Sequence, residues 1–182
     1  RSSFMRKIKR DATGQTGMKL LAGLFTAKGR SIMMREGEFI NAVRQGVLVN
    51  LLLLAVLLLL GVGELYLLWV AAYLTAYPLI ARIRQVAEHG NVPDLFDPDP
   101  RLNTRTTHAN WLERMIFCPN GVNYHVEHHL LASVPCHRLK SLHQALVAKG
   151  FYAGYENTLA QGYWDVLKRA VPELDNSRPA AA

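Results

Sequence analysis

Cysteine is nearly absent. Cys118 and Cys136 stand alone in 182 residues, too far apart for a CxxC ligand pair and too few for a disulfide framework, so nothing points to an oxidising compartment. Both read as reduced thiols. Charge is missing from another place: between Val47 and Ala81 the one formally charged residue is Glu64, a pattern that a soluble core rarely sustains over such a length. The opening Arg1-Ser2-Ser3 has no initiator Met and leads into no short apolar segment with a cleavage site. No signal peptide is expected, and the sequence reads as a piece of a longer protein. No internal repeat is visible.

The basic residues are distributed around that uncharged block. A formal net charge of +7 would suit nucleic acid if Lys and Arg alternated with aromatics, but here they flank the apolar run, so membrane lipid is the expected partner and nucleic acid is not. Residues 1–45 read as a basic interfacial segment of two short helices, parted by the glycines and threonines of Asp11 to Gly17. Residues 46–81 are too long for one span, since about 20 residues already cross a hydrocarbon core of roughly 30 Å. They divide into a hairpin, Gly46 to Leu60 and Leu65 to Ala81, with Gly61-Val62-Gly63-Glu64 as its turn. Arg35 and Arg44 precede it, Arg82 and Arg84 follow it, and the turn has no Lys or Arg. Both ends are therefore expected on the cytoplasmic side. A buried soluble hairpin would carry such an uncharged run less readily.

Residues 82–172 read as a cytoplasmic helical cap. Asn91, Pro93, Asp94, Asp97, Pro98, Asp99 and Pro100 mark an irregular loop. Leu139, Leu142 and Leu146 then recur at helical spacing before Gly150, and a further amphipathic helix is expected over Thr158 to Val171. Residues 173–182 read as a disordered tail. The fold class is thus an all-α membrane protein, a transmembrane helical hairpin with interfacial and cytoplasmic helices.

The chemistry gathers in Asn123-Tyr124-His125-Val126-Glu127-His128-His129-Leu130. At about 100° per residue, His125, His128 and His129 project within roughly 100° of one another, so three imidazoles reach one polar focus. Imidazole nitrogen suits Fe, Zn, Cu and Ni, and the spacing alone does not choose among them. A patch of surface histidines is the plain alternative, weakened because the cluster follows a membrane hairpin on its expected cytoplasmic side. Glu127 points away from the imidazole face, as a salt-bridging or supporting residue.

This stretch resembles the third histidine box, HxxHH, of the integral-membrane fatty-acid desaturase family. The run from Asn123 through Pro135-Cys136-His137-Arg138-Leu139 to His143 is similar to the family's carboxy-terminal block, as are Asn103 to Thr107 and Asp11 to Gly17. The resemblance implies two non-haem irons held by three histidine boxes, with an additional histidine between the last span and the third box. His89 stands in that place, so the implied metal ligands here are His89, His125, His128 and His129. Gln85 stands where some relatives have an Asn acting through water. His108 has no counterpart in the pattern and reads as incidental, while His137 and His143 fall on or beside the next helix, with His143 in a capping or supporting role.

The family's first two boxes are missing: no second HxxHH and no separate HxxxH occurs. The resemblance implies a parent enzyme whose di-iron centre uses dioxygen and two electrons to place a double bond in an acyl chain. An acyl-lipid or acyl-thioester substrate and an electron donor of ferredoxin or cytochrome b5 type are its implied partners. Two rivals remain open. One is a histidine-box hydroxylase or ketolase acting on carotenoid, sterol or alkane. The other is a non-catalytic membrane protein binding structural zinc through the cysteines and histidines, disfavoured by the lack of compact Cys spacing.

Overall fold

In a computed structural model the described residues are 2–23 and 36–171. The expected tail and Arg35 lie outside them. The chain divides into two compact units, Ser2–Leu79 and Ile80–Ala182. Helices dominate both, and the fold is that of an all-α membrane protein with two helices long and apolar enough to cross a bilayer, Phe39–Leu59 and Leu65–His89.

In the first unit, α1 (Ser2–Ala12) and α2 (Gln15–Gly23) are separated at Thr13-Gly14, where Gly14 takes a φ of +76°. Helix α3 (Glu36–Leu59) begins well before the expected Gly46 because Phe39, Ile40, Ala42 and Val43 extend the apolar helical pattern and Arg44 does not interrupt it. The turn at Gly61 (φ +73°) leads into α4 (Leu65–Leu74). Helix α4 folds back on α3: the Oδ1 of Asn50 accepts from Trp69 Nε1 at 3.1 Å and from Tyr66 OH at 3.4 Å. Helix α2 rests on α4 so closely that a Cβ at Gly17 would lie 2.6 Å from the Leu74 carbonyl oxygen. Leu48, Leu51, Leu52, Leu58 and Leu59 of α3 remain outside, Leu59 at 88% exposure. Such apolar surface fits hydrocarbon and not water.

Helix α5 (Ala76–His89) continues beyond Thr75, so the second candidate span runs on to His89, past the expected Ala81. In the second unit the described core is Ala87, Ala109, Cys118, Ala160, Tyr163 and Val166. A polar loop follows α5, then α6 (Pro100–Asn103), opened by Asp99 accepting from the Arg101 amide at 2.9 Å. Strand β1 (Thr106–Thr107) pairs in parallel with β2 (Leu159–Ala160), Thr106 opposite Leu159. Between them lie α7 (Trp111–Phe117), α8 (His125–Leu130) and α9 (Leu139–Ala148), with α10 (Tyr163–Ala170) last. Helix α7 begins with a capping box of Asn110 and Glu113, and the Oε1 of Glu113 also accepts from the Tyr163 amide at 2.7 Å.

The final helix differs from expectation. It starts at Tyr163 because Leu159 and Ala160 are drawn into the strand pair and Gly162, at φ +92°, breaks the path between strand and helix.

Candidate metal centre

Helix α8 is six residues long and has no side-chain cap at Tyr124. An isolated helix of that length does not form in water, so its position comes from what it touches. Its buried side chains, Val126 and Glu127, face inward, and His128 and His129 are exposed. That division puts the carboxylate and the imidazoles on different sides of one short helix, as the 100° rotation per residue requires.

On the imidazole side, His89 at the end of α5 meets α8. His125 Nε2 lies 3.0 Å from His89 Nε2 and 3.2 Å from His129 Nε2. All three rings offer a nitrogen within 4.8 Å of the others. His89 Nδ1 sits 3.0 Å from the carbonyl oxygen of Asn103. A carbonyl only accepts, so Nδ1 carries the proton and Nε2 turns its lone pair to the cluster. Burial, then the neighbouring His129, His89, His128 and Arg84, push His125 down to about 3, so it is neutral near pH 7. Its Nδ1 is buried without a hydrogen-bond partner.

These nitrogens fit a metal ion. For metal–nitrogen bonds of about 2.0–2.1 Å, two ligands stand roughly 2.9 Å apart at a right angle and roughly 3.3 Å apart in a tetrahedron. The observed 3.0 and 3.2 Å fall in that interval. Neutral imidazoles converging on their lone pairs repel one another unless a cation or proton lies between them. His128 is beside the trio but outside it, its ring centroid 5.8 Å from that of His125 and 6.0 Å from that of His129. Glu88 adds a carboxylate at the edge: Oε1 accepts from Arg84, and Oε2 is 3.7 Å from His125 Nε2. Only its place beside His89 hints at this in the sequence.

The other side of α8 is a buried polar knot. Glu127 is fully buried. Its Oε2 accepts from Thr106 Oγ1 at 2.5 Å, and its Oε1 accepts from His143 Nδ1 at 2.5 Å and from the Tyr152 hydroxyl. Burial alone would raise the Glu127 carboxyl, but the bonds from His143, Thr106 and Tyr152 outweigh it and hold the group below the ordinary range. Tyr152 is pushed up by burial and by Glu127. The Thr106 hydroxyl also accepts from the Val126 amide at 3.2 Å, tying β1 to the start of α8. Arg101 braces the turn that carries Tyr152: it donates to the Phe151 carbonyl at 3.1 Å and stacks over Phe151 and Tyr155.

The remaining histidines stay away from the trio. His108 packs against His143, ring centroids 5.2 Å apart, and burial lowers its basicity. His137 and Gln85 are exposed, as is Cys136, while Cys118 is buried and donates to the Tyr163 hydroxyl at 3.3 Å.

A family model described as fatty acid desaturase matches residues 1–159. Among curated proteins, dihydrorhizobitoxine desaturase of Bradyrhizobium elkanii is 34% identical over 67 residues, which is 37% of this chain and 19% of that protein. The chain therefore spans about a fifth of the length of that relative. No solved structure matches.

Proposed function

The chain belongs to the fatty acid desaturase family, and from that premise we propose that it is the carboxy-terminal part of a membrane di-iron desaturase acting on an acyl chain. The observation that carries this reading is the convergence of His89, His125 and His129 at ligand spacing. A desaturase-like oxidoreductase function is supported by the family and by the named relative. The family and the two long apolar helices support a membrane association.

In this reading His89, His125 and His129 would hold one iron, and His128, beside them, would serve a second whose other ligands would come from histidine boxes outside this sequence. Iron bound there would supply the oxidising power that removes hydrogen from an unactivated methylene, with dioxygen and two electrons delivered from outside. The chain's own residues prepare for that task. The Asn103 carbonyl fixes the His89 tautomer, and burial keeps His125 neutral so that its nitrogen is free to bind an ion. The hairpin lies in the bilayer, and the histidines, from His89 at the end of its second span onward, lie at the cytoplasmic side. Between α3 and α4, a cavity of about 570 Å³ lined by Phe39, Val43, Val47, Tyr66, Trp69 and Tyr73 has the apolar character an acyl chain requires. The acyl carrier is a lipid or thioester, and a ferredoxin or cytochrome b5 type protein delivers the electrons.

The test is iron and product analysis of the full-length protein. About two irons per chain and a new double bond in the acyl products are expected. A hydroxylated or ketolated product would move the protein to a neighbouring histidine-box activity, and a single zinc with no product would end the desaturase reading.

A further inference from the structure

We infer that Glu127 is a positioning residue, the anchor by which Thr106, His143 and Tyr152 fix the rotation of α8 and so aim His125 and His129 at His89. This rests on the metal-binding reading above. Helix α8 is weak in itself, six residues with no side-chain cap and too short to hold its own conformation. Rotating so short an element by one residue, about 100°, would carry the imidazoles out of reach of His89. Something outside the helix must set its angle.

Only Val126 and Glu127 are buried in α8. Val126 supplies non-directional apolar contact. Glu127 supplies direction: Thr106 from β1, His143 from α9 and Tyr152 from the turn beyond α9 all donate to its two oxygens. An ionised carboxylate only accepts, and these neighbours present matching donors. The Thr106 hydroxyl then passes the constraint to the helix backbone through the Val126 amide. A fully buried carboxylate is costly unless its oxygens are satisfied, so the arrangement tolerates little rotation. His108 packs on His143 but donates to neither Glu127 oxygen and lies apart from the metal-binding nitrogens.

A general packing role would look different from a positioning role. The experiment titrates Co²⁺, as a spectroscopic stand-in for iron, into the detergent-solubilised full chain and into Glu127→Gln, His143→Gln, Tyr152→Phe and Cys118→Ala. Helical content is followed by circular dichroism. Glu127→Gln and His143→Gln are each expected to weaken Co²⁺ binding about 10–100-fold and to alter its d–d absorption, with helical content retained. Their double variant should bind little worse than either single one, because both act through one knot. Tyr152→Phe, which keeps the carboxylate and two of its donors, gives a smaller loss in the same direction and serves if Glu127→Gln does not fold. Cys118→Ala loosens the core of the same unit and should lower thermal stability with Co²⁺ affinity unchanged.

Unchanged affinity in a folded Glu127→Gln, or in Tyr152→Phe where Glu127→Gln does not fold, overturns the inference. So does a loss in Cys118→Ala that tracks its loss of stability in the same proportion as in the Glu127 knot variants. Absence of Co²⁺ binding by the unaltered chain overturns the metal-binding reading, and with it this role for Glu127.

Discussion

His89 Nδ1 donates to the Asn103 carbonyl at 3.0 Å, and that bond turns the ring's other nitrogen to within 3.0 Å of His125. The partner is a backbone atom, so no side-chain change at Asn103 removes it directly. His89 is thus oriented by the last residue of α6, the short helix beyond the loop that follows its own. It is the one member of the trio outside the HxxHH sequence.

Replacing His89 is therefore the sharpest test of the cluster. In the full-length protein, His89→Ala, His125→Ala or His129→Ala should each lower bound iron and reduce turnover by at least about 100-fold, since loss of an inner ligand alters geometry and potential together. His128→Ala should also abolish turnover if it serves the second ion. His108→Ala should retain most activity, because that ring contacts His143 and not the trio. Normal iron content in His89→Ala would remove that residue from the ligand set.

Part of this was legible in the residues and part was not. HxxHH spacing brings His125 and His129 onto one face of a helix by rotation alone, and the leucines at 139, 142 and 146 mark α9 in the same way. His89 required family resemblance, because a lone histidine at a helix end has no local signature. The Asn103 carbonyl and the donors Thr106 and Tyr152 had none either: they meet their partners across sequence separations of 14, 21 and 25 residues. Local propensity also misplaced the start of α10, where pairing of Leu159 with Thr106 overrides a helical pattern.

The two thiols should differ sharply in reactivity. Cys118 is 3% exposed and burial raises its pKa, so near pH 8 it is both shielded and protonated. Cys136 is exposed. Maleimide labelling should modify one thiol in the native protein and two after denaturation, and rapid native labelling of Cys118 would contradict this packing.

Asn50 should stabilise the hairpin. Asn50→Leu removes the acceptor for Trp69 Nε1 and Tyr66 OH, and interhelical polar contacts in membranes contribute roughly 0.6–2 kcal/mol. Reversible unfolding in mixed detergent micelles should show a loss of that size. A variant as stable as the parent would mean that apolar contact alone holds α3 to α4.

Gly17→Ala should destabilise the first unit. Its new methyl would stand 2.6 Å from the Leu74 carbonyl oxygen and 2.7 Å from the Leu74 Cα, both backbone atoms. Relief requires α2 to move off α4, at a cost of about 1–3 kcal/mol. Faster proteolysis within α1 and α2 is the expected readout.

Orientation can be tested at the turn. With Arg44 before the hairpin and Arg82 and Arg84 after it, a cysteine placed at Gly63 should react with an impermeant probe only from the non-cytoplasmic side. Labelling from the cytoplasm would invert the topology.

The uncapped six-residue helix that carries the HxxHH histidines also dictates an order of assembly. During synthesis His89 emerges 36 residues ahead of His125, while Tyr152 follows Glu127 by 25. At about 5–20 residues per second, seconds separate the first histidine from the hydroxyl that completes the knot on the opposite side of α8. In the metal-binding reading, the two sides of α8 would therefore be completed at different times, and a site of fixed geometry would await the arrival of the segment beyond α9.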